Sequence, residues 1–262
     1  MDILRWLEKK KREIGFSHNA LIIIAMFAML IDHIGYVLII NGKLYGYDRV
    51  LYENAISLPE AKPWIVLYTI CRMIGRISFP IYAFLIVEGF RKTSNVFKYI
   101  LRIFLLAIIS EIPFDLIVFN QCFTMECLKL QNVLFTYFVA LLMLITIRIL
   151  NSISEFLSII PATIAVFVCY FLRTDYWLEG ILLIYFFYMF RHDLNVKCLI
   201  ALIITFVMSA ERYYGFGAVS VFFIYFYDGQ KGYLNLRRFQ YLFYPLHMLI
   251  LYGIIFFTYW NN

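Results

Sequence analysis

The chain has 262 residues, of which 63% are apolar and only 15% charged, with a formal net charge of +6 and a mean hydropathy of +0.80. Soluble domains carry about 45–50% apolar and about 25% charged residues, so this composition excludes an ordinary soluble fold and points to an all-α, polytopic transmembrane helical bundle. The apolar runs are continuous rather than alternating, which argues against a β-barrel. The basic residues are spread over short loops, as membrane orientation requires and nucleic-acid binding does not.

Residues 1–16 read as a separate cytoplasmic element. Ile3, Leu4, Trp6 and Leu7 precede Lys9, Lys10, Lys11 and Arg12, the pattern of a short amphipathic helix at the interface with membrane lipids. No cleavable signal is expected, because the first apolar run follows this charged segment and contains Asp-His. Residues 17–262 then read as one transmembrane domain. Spans are predicted at 19–40, 64–90, 97–119, 131–150, 156–172, 176–190, 195–210, 214–228 and 240–259, about nine with a range of 8–10. The sixth to eighth are short for a bilayer, and Gly180, Gly215 and Gly217 supply breaks there. Residues 41–63 read as an external cap. If the N-terminus is cytoplasmic, fifteen basic residues fall on inner segments and six on outer ones. That bias predicts N-in, C-out in a bacterial-type cell membrane. Cys122 and Cys127 share one loop, which allows a local disulfide if the loop faces outside. No cysteine pattern suggests a metal site.

The first span holds Ile31-Asp32-His33-Ile34-Gly35. Ionisable groups within a span are expensive and mark function by default. Counting depth at about 1.5 Å per residue places Asp32 and His33 in the outer half. Arg72 and Arg76, four apart on the second span, reach the same layer. So do Glu111 and Asp115, four apart on the third, with Pro113 between them loosening the helix. Asp175, Glu179, Glu211 and Arg212 lie at the outer mouth. Asp32 and His33 are about 100° apart on their helix, so they face different partners. Asp32 is expected to pair with an arginine, Arg76 ahead of Arg72, and His33 to be oriented by Glu111 or Asp115. A carboxylate-held histidine is a general base near neutral pH. The bland alternative is a salt-bridge network that only fixes helix register. A second polar set, Glu88, Arg91, Lys92, Lys98, Arg102 and His247, lies nearer the cytoplasm, where cations could hold phosphates.

These motifs resemble the TraX-like family, named for the conjugative pilin acetylase. Ile31-Asp32-His33-Ile34-Gly35 resembles its first block. Gly75-Arg76-Ile77-Ser78-Phe79-Pro80 with Glu88-Gly89-Phe90 resembles its second, and Ser110-Glu111-Ile112-Pro113-Phe114-Asp115 its third. Asn132 with Thr136, and Tyr244-Pro245-Leu246-His247, match weaker later blocks. Residues 41–63 and 151–212 match poorly. The resemblance implies an integral-membrane acyltransferase, distantly similar to enzymes that acetylate surface sugars or glucosamine. It implies a cytoplasmic acyl-CoA donor, acetyl by default, with His33 as the catalytic position and Arg76 beside it.

The polar layer suits that chemistry. His33 would take a proton from an amine or hydroxyl acceptor, and Arg72 or Arg76 would face the developing oxyanion. Asp32, Glu111 and Asp115 would orient these groups or grip the acceptor. Arg72, Arg91, Lys98, Arg102 and His247 are the candidate acyl-CoA contacts. No nucleophile elbow is present, so transfer is expected to be direct and metal-free. The acceptor is open among a protein N-terminus, a sugar and a lipid. The main rival is a proton-coupled transporter using the same layer, against which stands the lack of an internal repeat.

Overall fold

The computed structural model describes residues 15–151, 154–234 and 236–260. The amphipathic helix expected over 1–16 lies almost wholly outside them. The fold is all-helical; among the described residues β-pairing is limited to isolated bridges, Phe16 with Tyr227 and Gln131 with Thr174.

Helix α1 (His18–Ile34) opens at Ser17, whose hydroxyl accepts the Ala20 N–H. It continues into a π-helical stretch, Gly35–Lys43. The short helix α2 (Arg49–Ser57) is capped by Asp48 and buries no residue. Helices α3 (Lys62–Gly75) and α4 (Ser78–Lys92) follow, then α5 (Val96–Phe119) and α6 (Val133–Leu150). The remainder comprises α7 (Ile159–Leu172), α8 (Glu179–Met189), α9 (Leu194–Tyr213), α10 (Val219–Tyr225) and α11 (Arg237–Ile255).

Helices occupy each of the nine predicted stretches, but nine spans are not confirmed. Among the described residues, five segments are long and apolar enough to cross a membrane: His18–Lys43, Pro59–Lys92, Val133–Leu150, Leu194–Tyr213 and Phe239–Thr258. The stretches Phe156–Leu172, Glu179–Met189 and Phe216–Tyr225 are apolar but shorter. Helix α5 is long enough, yet it carries Lys98, Arg102, Glu111 and Asp115. Residues 41–63 are not a separate cap throughout, since the first helical segment runs on to Lys43 and the second begins at Pro59.

The central helix is α4, which touches α1, α6, α8 and α10. Phe79, Ile81, Phe84, Val87 and Phe90 are buried around its circumference, as expected of a helix apolar on all sides. The outer helices invert the soluble pattern. Helix α9 turns Ala201, Thr205 and Ser209 inward and leaves Leu202, Ile203, Phe206 and Val207 exposed. Small residues at such a stripe let backbones approach closely. The Thr205 and Ser209 hydroxyls donate to carbonyls one turn back, at 2.6 and 2.7 Å, which satisfies them without a partner helix.

The second predicted span is one apolar run but two helices. Pro80 has no N–H and its ring crowds the carbonyl four residues earlier, that of Arg76. The chain tightens there: the Arg76 N–H bonds Arg72 and Met73 carbonyls, both at 3.2 Å, and the Ile77 N–H bonds that of Ile74 at 3.1 Å. Gly75, the last residue of α3, lies against α1, where an added Cβ would clash with the Asp32 carboxylate. Overpacking of this kind costs about 1–3 kcal/mol, and each kcal/mol is worth about 2–4 °C at this chain length. Gly75→Ala is therefore expected to lower Tm in detergent by on the order of 5 °C. Gly253→Ala, where a Cβ would meet nothing within 4 Å, should leave Tm unchanged or raise it. Equal Tm values for the two variants would contradict the close approach.

Candidate functional site

Asp32 sits on α1 facing the end of α3. Arg72 and Arg76 are four residues apart, so both guanidinium groups leave the same helix face and converge on this one carboxylate. Arg72 Nη1 lies 2.5 Å from Asp32 Oδ2, and Arg76 Nη2 lies 3.4 Å from Oδ1. Arg72 Nε also approaches the Tyr213 hydroxyl at 3.5 Å, and Arg76 Nε donates to the Arg72 carbonyl at 3.4 Å. Aromatic rings cover the cations. Arg76 lies 5.0 Å from the Tyr213 ring centre and 5.8 Å from that of Tyr176, and Arg72 lies 5.8 Å from that of Tyr36. Such contacts strengthen when desolvated. The sequence-based preference for Arg76 as the Asp32 partner is thus corrected: both arginines engage it, and Arg72 is the closer.

His33, one residue on, points elsewhere. Its Nδ1 lies 2.6 Å from Nε2 of His247 on α11. His247 Nδ1 in turn lies 2.6 Å from the Phe243 carbonyl oxygen. His33 is therefore oriented by His247, not by Glu111 or Asp115. Glu111 is committed to Asn132, whose side-chain amide donates to it and, at 2.9 Å, to the Ala107 carbonyl. Asn132 also caps α6 by accepting the Leu134 N–H, so Glu111 secures a helix start. Asp115 is buried, and its Oδ1 has no hydrogen-bond partner among the described residues. Cys122 and Cys127 are free thiols rather than a disulfide.

A cavity of about 870 Å³ connects these groups with the opposite end of the bundle. It is lined along α1 from His18 to His33, a run of about 22 Å at 1.5 Å per residue, and on to Tyr36 of the π-helical stretch. One end holds Asp32, His33, Arg72, Arg76, Asp175 and Tyr176. The other holds His18, Glu88, Lys92, Arg102, Lys231 and Gln240. Between them the walls are mostly apolar and aromatic, with Phe79, Tyr82, Leu85, Leu106, Tyr137 and Tyr244 among the lining residues. At the second mouth Glu88 is paired with Arg91 at 2.8 Å and Lys92 at 3.1 Å.

The candidate acyl-CoA contacts separate accordingly. Arg102 lines the second mouth; Arg91 and Lys98 do not line the cavity. Arg72 and His247 belong to the Asp32–His33 end. The sequence groups His247 with the polar set nearer the cytoplasm. The structure instead seats His247 of α11 against His33. Lys231, His18 and the aromatic ring set of Tyr36, Tyr176 and Tyr213 were not singled out. They come from separate elements, and no spacing in the chain announces their meeting. Glu88 and Lys92 were visible as charges in an apolar context.

Asp175 lies in the loop between α7 and α8, held where the Thr136 hydroxyl donates to its carbonyl at 2.5 Å. Burial pushes its carboxyl up to about 6, against the opposing pull of Arg76 and Arg72. Its unfolded value is about 3.9, so folding favours the protonated form. That contribution is complete below about pH 4 and is lost as pH rises through about 6. Wild-type Tm should therefore fall relative to Asp175→Asn between pH 4.5 and 7 in a detergent thermal scan. A difference that stays constant with pH would contradict the buried carboxyl.

Comparison with known proteins bears on this geometry. Residues 17–255 match the family model described as TraX protein. A 138-residue stretch is 31% identical to "Probable fimbrial assembly protein FimC, serogroup H1" of Dichelobacter nodosus. That stretch covers 51% of this chain and 47% of the relative, about half of each. No solved structure matches. The family match takes in α1 through α11, with Asp32, His33, Arg72, Arg76 and His247 inside it, and the chain belongs to the TraX family.

Proposed function

We propose that the protein is an integral-membrane acyltransferase that moves an acyl group, acetyl by family default, from acyl-CoA to an amine or hydroxyl acceptor. The observation that carries this reading is the two-ended cavity. One mouth has three basic side chains, Lys92, Arg102 and Lys231, with Glu88 as the acidic member. That balance suits the phosphates of a polyanionic donor. From His18 at this mouth to His33 is about 22 Å along α1, a depth that calls for a ligand with a long narrow arm. The positive-inside bias of the loops makes the Lys92 mouth the cytoplasmic one.

At the other end His33 takes the acceptor proton as the acceptor nitrogen or oxygen attacks the thioester carbonyl. Negative charge then develops on the carbonyl oxygen. Arg72 and Arg76 carry five N–H donors each and spend few of them on Asp32, so donors remain to meet that oxygen. Collapse breaks the carbon–sulfur bond, and the proton on His33 passes to the departing thiolate. The aromatic walls keep bulk water from the thioester. Acceptor identity follows from what can enter the Arg72 end. The name of the Dichelobacter nodosus relative speaks of fimbrial assembly, and a fimbrial protein is the first acceptor to offer.

The cavity's reach toward both ends also favours a second reading, a proton-coupled transporter using Asp32 and His33. The donor mouth separates the two. Purified protein should be stabilised by acetyl-CoA in a thermal-shift titration, by about 2.7 kcal/mol at 100 times its Kd. Combined Lys92→Glu and Lys231→Glu should weaken that binding at least tenfold. Unchanged affinity in the double variant would remove the donor site, and proton flux in proteoliposomes without acyl transfer would favour the transporter.

A further inference from the structure

We propose that His247 is a positioning residue that fixes the tautomer of His33 and leaves His33 Nε2 as the basic nitrogen. The consequence for catalysis rests on the acyltransferase reading; the tautomer itself does not. A carbonyl oxygen only accepts hydrogen bonds. The Phe243 carbonyl, 2.6 Å from His247 Nδ1, therefore requires the proton on that nitrogen. In the neutral ring Nε2 is then bare and can only accept. Its partner at 2.6 Å, His33 Nδ1, must be the donor. With Nδ1 protonated, neutral His33 carries its lone pair on Nε2.

The geometry is that of a directed hydrogen bond rather than a packing contact. The two ring centroids are 4.9 Å apart and the planes differ by 21°. The centroid separation exceeds the nitrogen–nitrogen distance by about two ring radii, so the imidazoles meet edge to edge and nearly coplanar. The Phe243 ring holds His247 in place, stacking on the imidazole at 4.7 Å and 14°. His33 lines the cavity, whereas His247 is buried and is not among the lining residues. His247 thus acts through His33 and does not face substrate. A neutral imidazole here plays the part that a carboxylate plays in other base–orienter pairs. When His33 Nε2 takes the acceptor proton, the shared Nδ1 proton lets the positive charge spread over both rings. The Nε2 proton later leaves with the thiolate, so the pair returns to its starting state.

The test is nitrogen NMR of the purified protein with labelled histidine, assigned among His18, His33, His192 and His247 by single replacement. Wild-type His33 should show a protonated Nδ1 and a bare Nε2. His247→Ala should lose that single tautomer. His247→Gln, whose side-chain oxygen can accept from His33 Nδ1, should regain it. Acyl transfer should fall about 100-fold or more in His247→Ala. A wild-type His33 protonated at Nε2, or a tautomer unchanged in His247→Ala, would overturn the proposal. The tautomer is read without substrate, so failure of the acyltransferase reading shows separately, as absent acetyl-CoA turnover in the wild type.

Discussion

One buried carboxylate, Asp32, holds two guanidinium groups inside an apolar bundle, and much of the architecture follows from that requirement. Removing one partner of a buried ion pair costs about 3–5 kcal/mol, because the charge left behind has no water to turn to. Membrane surroundings make such groups rarer still. Accordingly the backbone is arranged to bring the three together. Gly75 leaves room for the Asp32 carboxylate, and Gly35 leaves room for Cys71, where an added Cβ would meet Cys71 Cβ at 2.6 Å. Pro80 stands where the chain tightens at Arg76 and α3 gives way to α4. Tyr36, Tyr176 and Tyr213 then cover the cations from three different elements.

The all-helical membrane class was legible in composition, because 63% apolar residues leave too little polar surface for a soluble domain. The Asp32–arginine cluster was legible as well. Charged residues four apart in apolar runs need partners from other helices, and depth counting brought Asp32, Arg72 and Arg76 to one layer. What depth counting could not resolve was which face each helix turns to its neighbour. Glu111 faces the loop before α6, where it bonds Asn132, and neither it nor Asp115 reaches His33. His247 was visible as a histidine in an apolar run, yet no spacing in the chain announces that α11 meets α1 at His33. The break at Arg76 was also written in the chain, since Pro80 stands four residues later, but hydropathy alone reads the stretch as continuous.

The span count is left unconfirmed for a physical reason. Helices α7, α8 and α10 are short, and α8 and α10 pack against the central helix α4, so their apolar length reflects burial in protein as much as contact with lipid. Helix α5 carries four charged residues along its length and puts Arg102 into the cavity. Apolarity in this fold therefore serves two surroundings at once, and a hydropathy threshold cannot separate them.

The cavity ties the two polar sets together. A basic mouth and a hydrogen-bonded histidine pair lie at opposite ends of one passage, with the Asp32 clamp beside the histidines. The most direct measurement is release of thiol from acetyl-CoA by wild type and His33→Ala in proteoliposomes, with a primary amine and an alcohol supplied as acceptors. The account predicts turnover in the wild type and a loss of about 100-fold or more in the variant, with acetyl-CoA affinity retained. Equal rates in the two proteins would contradict His33 as the base and, with it, the assignment of this chamber as the site of acyl transfer.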